Sequence, residues 1–229
     1  MYIEKVQNTF NEIEELCSIF RYKEAYELIQ ENKNLALAKN NLVLKKYYYY
    51  LSKLQIILFD NTNETVFNLV FSLHLESKEE DEFVNALILN MLALACFKKG
   101  DNVRAEIYFK ASIDRTQSIK NFSQNNIEES LNLYYNVAKF YSSIGRYSDA
   151  IYYCSIALKI SKIENIHKYV DRLLYEKGYN LAMEGNLTGA EKSLMQAWTF
   201  SEYHNNDTLT EIIKEAIVEF DLKLKYLFD

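Results

Sequence analysis

Proline is absent from the 229-residue sequence, and glycine occurs only five times. Proline interrupts helices, and both residues mark turns and loops, so their scarcity predicts long helices joined by short connections. The three cysteines, Cys17, Cys96 and Cys154, are widely spaced and form no CxxC pair, which argues against a zinc site or a redox motif. Each lies among apolar neighbours, where a free cysteine packs as a small hydrophobe, and this usage indicates a reducing cytoplasm.

Extended basic and apolar stretches are also missing. The net charge is −6 and the pI is about 5.3, whereas nucleic-acid-binding proteins usually carry a basic face that releases counterions from phosphates. Direct nucleic-acid binding by this chain is therefore not expected. The apolar run around Leu51–Phe59 is far shorter than the ~20 residues of a membrane span. Met1 leads directly into the amphipathic stretch Tyr2–Phe20, so we expect a cytoplasmic protein without a signal peptide or a membrane partner.

Motifs of catalysis and metal binding are not found. The three histidines, His74, His167 and His204, lie far apart, and none has the spacing of a metal ligand. A Gly-rich phosphate loop, a nucleophile elbow and an HExxH motif are all missing. We therefore expect a protein that binds something and is not an enzyme, with no catalytic residue, no metal site and no cofactor.

An internal repeat is the main positive signal. Three segments align on Gly100, Gly145 and Gly185, with a small residue seven positions before each glycine and an alanine five positions after it. A small residue on one helix lets the next helix approach closely, and a glycine between them can adopt the left-handed conformation that ends the first helix. The small residues are Ala93, Ala138 and Gly178, and the alanines are Ala105, Ala150 and Ala190.

This pattern resembles the tetratricopeptide repeat, and Ala138–Leu158 is its best match. The resemblance implies an all-α fold, a right-handed superhelical array of about five antiparallel helix pairs plus a C-terminal capping helix. The loop glycines are 45 and 40 residues apart, longer than the family's usual spacing of about 34. The usual closing proline and early tryptophan are also missing, and longer helices would account for the spacing.

The predicted array forms one domain over residues 1–229, because no linker-like stretch interrupts it. A degenerate early unit begins around Arg21–Ala25, and Asn40–Phe59 with Glu64–Leu75 forms another pair. A last helix covers the exposed end of the core, as repeat arrays require. The clearest repeats are 87–119, 131–163 and 171–204, and the cap helix is 206–228.

The resemblance also predicts a ligand-binding wall, because positions two, five and nine of each first helix commonly face the concave surface of such arrays. An asparagine side chain both donates and accepts hydrogen bonds, tyrosine supplies contact area with a polar tip, and lysine or arginine can hold a carboxylate. The same tyrosines could simply pack in the core, and the cations could be solvated surface residues. The predicted peptide-binding residues are Tyr48 (from the run Tyr47–Tyr50), Asn90, Asn132, Tyr135, Lys139, Arg172, Tyr175 and Tyr179.

The long, irregular units and terminal helix are similar to the sensor region of the peptide-pheromone receptors of Gram-positive bacteria, the RRNPP regulators. This resemblance implies a cytoplasmic domain that binds a short secreted peptide after import, dimerises with a second copy and regulates transcription in quorum sensing. Many members carry an N-terminal helix-turn-helix, but the first 30 residues here already fit the repeat array. Either the chain is an isolated sensor domain, or it acts on a protein partner instead of DNA.

Two other functions are compatible with a helical repeat. A constitutive scaffold would bind the helix or tail of a partner protein without a signal ligand. A phosphatase-like repeat protein would need a glutamine or glutamate that orients water, and Gln124 and Gln196 belong to no such constellation. The sequence therefore favours a peptide receptor, with the scaffold as the alternative.

Overall fold

A computed structural model describes residues 2–18, 21–60, 62–76, 82–119 and 123–224. The described part of the chain contains eleven α-helices and one short 3-10 helix, Lys33–Leu37, and no strand. The predicted all-α class is therefore confirmed. The α-helices are α1 (Tyr2–Ser18), α2 (Tyr22–Glu31), α3 (Asn41–Phe59), α4 (Thr62–His74), α5 (Glu82–Lys98), α6 (Asn102–Ser118), α7 (Gln124–Ser143), α8 (Tyr147–Glu164), α9 (Val170–Met183), α10 (Leu187–Tyr203) and α11 (Asp207–Glu219).

The helices belong to two compact units, which we describe separately. Unit 1, Met1–Lys120, contains α1 to α6, and unit 2, Asn121–Asp229, contains α7 to α11. Within each unit every helix packs against the next one along the chain. The three clearest predicted repeats correspond to the pairs α5–α6, α7–α8 and α9–α10. The single-domain organisation over residues 1–229 stays a prediction.

The loop within each of these three pairs is a turn closed by backbone hydrogen bonds. Gly100, Gly145 and Gly185 have φ of 76°, 77° and 81°, a left-handed conformation that glycine adopts without steric cost. At the first of them, the amide of Gly100 donates to the Phe97 carbonyl (2.8 Å) and the amide of Asp101 donates to the Cys96 carbonyl (3.0 Å). This pair of bonds is the Schellman arrangement, which satisfies the last carbonyls of a helix. The helix ends predicted from the glycines are confirmed.

The same turn recurs between α10 and α11 without a glycine. Asn205 takes φ of 53°, and the amide of Asn206 donates to the Ser201 carbonyl at 2.8 Å. The side chain of Asn206 then caps α11 by accepting from the amide of Leu209. Asparagine tolerates the left-handed conformation better than most other non-glycine residues do. Asn205 can therefore take the left-handed position that glycine occupies in the other three turns.

The core of unit 1 is centred on α5. Every α5 residue from Phe83 to Ala93 is buried, and the helix packs against α3, α4 and α6. On α6, Ala105 and Phe109 are fully buried. Cys17 and Cys96 of unit 1 and Cys154 of unit 2 are buried free thiols, as the apolar neighbours of each predicted.

The core of unit 2 depends on the close approach of α9 and α10. A Cβ on Gly178 would lie 2.7 Å from Leu194 Cγ, so the small residue at this position is required by the neighbouring helix. Leu194, Ala190 and Ala197 of α10 are fully buried together with Ile213 and Ile217 of α11.

The predicted cap helix 206–228 is too long. The α-helix ends at Glu219, because Asp221 takes φ of 52° and the amide of Leu222 donates to the Ile217 carbonyl at 3.0 Å. These are the features of the turns that end the other helices. Leu222 is buried, and residues 225–228 of the predicted helix lie outside the described residues.

Candidate functional site

Six of the eight predicted ligand-binding residues lie on two helices of unit 2 that pack against each other, α7 and α9. On each helix the second residue follows the first by three positions and the third follows the second by four, and this spacing places them on one helical face. We call this set the unit 2 wall. Five of its residues are half-buried and Lys139 is exposed, so the set borders solvent. The residues are Asn132, Tyr135 and Lys139 on α7, and Arg172, Tyr175 and Tyr179 on α9.

Several of these side chains contact one another or a neighbouring ring. Lys139 Nζ lies 5.6 Å from the centroid of the Tyr135 ring, within the range of a cation–π interaction. The Tyr175 and Tyr179 rings are 6.2 Å apart. Tyr179 also meets Phe220, just after α11, in an edge-to-face contact at 5.4 Å. These contacts group the aromatic and cationic side chains along each of the two helices.

The two central phenols stay protonated at neutral pH. Burial raises the pKa of Tyr135 far above its ordinary value, the charge of Glu176 adds to this, and Arg172 opposes it. Burial also raises the pKa of Tyr175 to about 12, with smaller contributions from Glu176, Tyr179, Glu219 and Glu215. A protonated phenol can donate and accept hydrogen bonds. Both tyrosines therefore carry neutral hydroxyl groups.

Glu176 is a buried carboxyl group that the sequence analysis missed. It is only 6 % exposed, and burial raises its pKa above the ordinary value, although hydrogen bonds from Ser142 and Asn180 and the charge of Lys139 oppose this shift. Asn180 Nδ2 lies 3.2 Å from Glu176 Oε1. A signal was present in the sequence, because Leu173, Glu176 and Asn180 are three and four positions apart and so share the buried stripe of α9.

Arg172 is placed at the first turn of α9. Its guanidinium carbon lies 5.7 Å from the centroid of the Tyr169 ring, and the side chain is half-buried. The preceding residue, Asp171, is 4 % exposed and accepts a hydrogen bond of 2.9 Å from Asn206 Nδ2. This bond fixes the start of α9 against the start of α11, and it thereby holds Arg172 at a defined place in the wall.

The other two predicted residues, Tyr48 and Asn90, belong to unit 1. The half-buried Tyr48 ring packs edge-on against the exposed Phe71 at 5.4 Å and against the buried Tyr47 at 5.2 Å. Asn90 is only 2 % exposed, in contrast to the half-buried Asn132 of the wall. Their ligand contacts stay predictions.

Unit 1 holds a second buried charge that the sequence analysis missed. Lys45 of α3 is fully buried, and its Nζ donates to Asn85 Oδ1 at 2.7 Å. Asn85 Nδ2 in turn lies 3.4 Å from Glu82 Oε1, and Glu82 pairs with Arg115 of α6. This network joins α3, α5 and α6. We therefore interpret the buried Lys45 as a residue that holds these three helices of unit 1 together.

Among the side chains that the structure describes, no three His, Cys, Asp or Glu residues converge as metal ligands would. None of the helices in the described ranges is long and apolar enough to cross a bilayer.

Comparison with known proteins identifies the fold. The chain matches no protein-family model and no curated protein sequence. Among solved structures, the complex of Bacillus thuringiensis PlcR with the peptide PapR7 and DNA matches with a TM-score of 0.78 and 19% identity, over 92% of this chain and 74% of PlcR. The apo form of PlcR matches with a TM-score of 0.79 and 19% identity, over 92% of this chain and 77% of PlcR. This chain has the fold of PlcR. The predicted resemblance to the sensor region of RRNPP-type regulators is therefore confirmed at the level of the fold.

Proposed function

We propose that this chain is the sensor module of an intracellular signalling-peptide receptor and that it holds a short peptide on the unit 2 wall. The observation that carries the proposal is that α7 and α9, which pack against each other, carry these amide, phenol and cationic side chains where the two helices border solvent. PlcR, which shares the fold, has been crystallised with a peptide. The proposal assigns no catalytic step to the chain.

Each class of side chain in the wall has a role suited to a peptide. Asn132 can accept from a peptide amide and donate to a peptide carbonyl at the same time. Tyr135, Tyr175 and Tyr179 offer broad rings at a low entropic cost of ordering. Lys139 and Arg172 supply positive charge for a carboxylate, and arginine can bind it through two parallel hydrogen bonds. Together they recognise the backbone, an apolar side chain and an acidic group of one extended segment.

The proposal is tested by the thermal stability of the protein in the presence of unmodified peptides of five to ten residues. A peptide at 100 times its dissociation constant should stabilise the folded state by ~2.7 kcal/mol. Lys139→Ala or Arg172→Ala should weaken the binding of a responding peptide about 10- to 100-fold, as expected for the loss of a hydrogen bond to a charged group. Asn132→Ala should weaken it less.

The matched control is Lys192→Ala, which removes an exposed lysine from α10 instead of α7. It should leave the affinity unchanged. Equal losses in Lys139→Ala and Lys192→Ala would argue against the wall and indicate general charge attraction. The absence of any response to short peptides would contradict the receptor proposal and favour a constitutive scaffold that binds a partner's helix or tail.

The proposal also includes a cytoplasmic location, a role in regulating transcription or a partner protein, and a homodimer. The fold shared with PlcR, which was crystallised in complex with the peptide PapR7 and DNA, supports the regulatory part of this proposal. Sedimentation of the protein with and without a responding peptide tests the dimer, because a monomer in both conditions would remove that part of the proposal.

A further inference from the structure

The start of α9 carries two cations on one aromatic ring. Lys168 Nζ lies 5.8 Å from the centroid of the Tyr169 ring, and the guanidinium carbon of Arg172 lies 5.7 Å from the same centroid. Both distances are within the range of a cation–π interaction. Lys168 is not one of the predicted peptide-binding residues, although it precedes Arg172 by only four positions. It brings a second cation to the end of the unit 2 wall where Arg172 lies.

An ion pair fixes the position of Lys168 relative to α7. Lys168 Nζ is 2.9 Å from Glu128 Oε2. Glu128 precedes Asn132 by four positions, just as Lys168 precedes Arg172 by four, so the ion pair joins matching places on the two sides of the wall. The lysine and glutamate side chains are 36% and 25% exposed. The pair therefore extends the wall at a place that borders solvent.

Tyr169, which carries both cations, has a rare backbone conformation. Its φ is 66° and its ψ is 0°, a left-handed conformation that is an outlier for a residue with a bulky side chain. The amide of Val170 donates to the His167 carbonyl at 3.2 Å. The amide of Leu173 donates to the Tyr169 carbonyl at 2.9 Å. Such conformations persist only where the surrounding structure holds them, and they are concentrated at functional sites, so we interpret the Tyr169 ring as a fixed platform for the two cations.

The two carboxylates of this region are held differently. Asp171 is 4 % exposed, and its Oδ2 accepts from Asn206 Nδ2 while its Oδ1 accepts from the backbone amide of Arg172, both at 2.9 Å. It is therefore part of the structure that fixes the start of α9. Glu128 instead pairs with Lys168 where solvent reaches both side chains. Partly exposed ion pairs contribute little to stability, so a carboxylate from a ligand can replace Glu128 at small cost.

We propose that Lys168 and Arg172, on the Tyr169 ring, form the subsite that binds a carboxylate of the peptide, and that Glu128 holds Lys168 until the peptide displaces it. This inference rests on the proposed function, since it assigns one chemical group of the ligand to one end of the unit 2 wall. Arginine can hold a carboxylate through two parallel hydrogen bonds, and lysine adds a further charged donor. The carboxylate is the C-terminus of the peptide or an acidic side chain, which present the same chemistry to the subsite.

The first test compares three forms of one peptide, the tightest binder from a library of random seven-residue peptides. The forms are the free acid, the C-terminal amide, and the free acid with its Asp and Glu residues replaced by Asn and Gln. One of the two altered forms should bind about tenfold more weakly or worse, as expected for the loss of charged hydrogen bonds. Weaker binding of the amide identifies the C-terminus as the bound group, and weaker binding of the Asn/Gln form identifies an acidic side chain. Equal affinities of all three forms would overturn the inference.

Lys168→Gln tests whether this lysine contacts the carboxylate. It should weaken the free acid roughly three- to tenfold, between the effects of an exposed ion pair and of a charged hydrogen bond. It should change the affinity for the weaker altered form much less, so the ratio between the two forms falls. The matched control is Lys214→Gln on α11, because Lys214 Nζ pairs with Glu211 at 2.8 Å and its side chain is also 36% exposed. The control should leave the ratio unchanged.

A purely structural role of Lys168 predicts a different result. Loss of packing or of the tie to α7 would weaken both forms of the peptide equally, and the ratio would stay at its wild-type value. That outcome would overturn the inference while the proposed function stands. If no peptide bound to the wild type or to any variant, the proposed function itself would fail.

Glu128→Gln tests the exchange, because it removes the carboxylate that holds Lys168. The free acid should bind about two- to fivefold more tightly, the size of a partly exposed ion pair, and the weaker altered form should not change. In the double variant Glu128→Gln/Lys168→Gln the gain should disappear, since the cation for which the two carboxylates compete is absent. An equal gain with and without Lys168 would show that Glu128 acts by general repulsion, and the proposed exchange would be wrong.

Discussion

The first helices α5 and α9 occupy corresponding places in their pairs, yet they present very different surfaces. In α5 the buried residues run without a break from Phe83 to Ala93. In α9 buried residues alternate with the half-buried Arg172, Tyr175 and Tyr179. Both helices end in the same glycine turn, at Gly100 and Gly185. The glycine turn therefore sets where the first helix of a pair ends. It does not set which residues of that helix are buried.

An alignment on the small residues shows where the difference lies. Ala93 of α5 corresponds to Gly178 of α9, so Leu92 corresponds to Lys177, and Met91 corresponds to Glu176. Two apolar core residues of unit 1 are thus replaced by charged residues in unit 2. The repeat pattern therefore identifies pairs of helices, whereas the residues between the pattern positions decide whether the first helix is buried on all sides or carries half-buried polar residues.

The largest expected effect comes from Leu92→Ala compared with Lys177→Ala. Leu92 is fully buried, so its truncation should cost about 2–5 kcal/mol in the free energy of unfolding. Lys177 is half-buried, and its truncation should stay within about 0.5 kcal/mol. Urea denaturation followed by circular dichroism measures both. Similar losses in the two variants would mean that α5 and α9 do not differ as their burial indicates.

An intermediate effect is expected from Asn90→Ala compared with Asn132→Ala. Asn90 is 2 % exposed, and removing a buried amide leaves its partner groups unsatisfied, which should cost about 1–3 kcal/mol. Asn132 is half-buried on the wall, so its truncation should change stability by less than about 0.5 kcal/mol while it weakens peptide binding. The same denaturation and a peptide titration separate the two roles. If Asn90→Ala lowered affinity with unchanged stability, Asn90 would also belong to a ligand surface.

The smallest expected effect comes from Gly178→Ala. The added methyl group would lie 2.7 Å and 2.9 Å from Leu194 side-chain carbons and 3.2 Å from the Leu194 amide nitrogen. Overpacking typically costs 1–3 kcal/mol, and the better helix propensity of alanine returns about 1 kcal/mol, so we expect a net loss of about 1 kcal/mol by thermal denaturation. At the corresponding place in unit 1, Ala93 is fully buried, so Ala93→Gly should lose both helix propensity and a buried methyl group. A stabilised Gly178→Ala protein would show that Leu194 can move aside.

The positions of the helix pairs could be predicted because they depend on local chemistry. A glycine at the end of the first helix forms the turn through the backbone. Gly145 does so without side-chain capping by Arg146, whereas Asn186 after Gly185 also caps the next helix. The Asn205–Asn206 junction follows the same local chemistry, since asparagine both tolerates positive φ and caps helices. Turns of this kind need no information from distant parts of the chain.

The exposure of the predicted peptide-binding residues was harder to predict, for reasons that differ between α5 and α9. Apolar residues occur on all sides of α5, so its sequence has no periodicity that could show which face is buried. Asn90 is a predicted peptide-binding residue, although it is only 2 % exposed. Glu176 was missed because charged residues are usually exposed. Its burial depends on the packing of α9 against other helices, one of which is α7, more than 30 positions earlier in the sequence.

The packing of each helix on its neighbour in sequence also has a kinetic consequence. Contacts between helices joined by turns as short as Gly100–Asp101 or Gly145–Arg146 bring together residues that are close along the chain, and domains rich in such contacts fold rapidly. The sequence has no proline, so prolyl isomerisation adds no slow phase to refolding. A nucleus can form in any one pair and grow by the addition of the next helix. Either unit can therefore regain its structure quickly after a transient local opening.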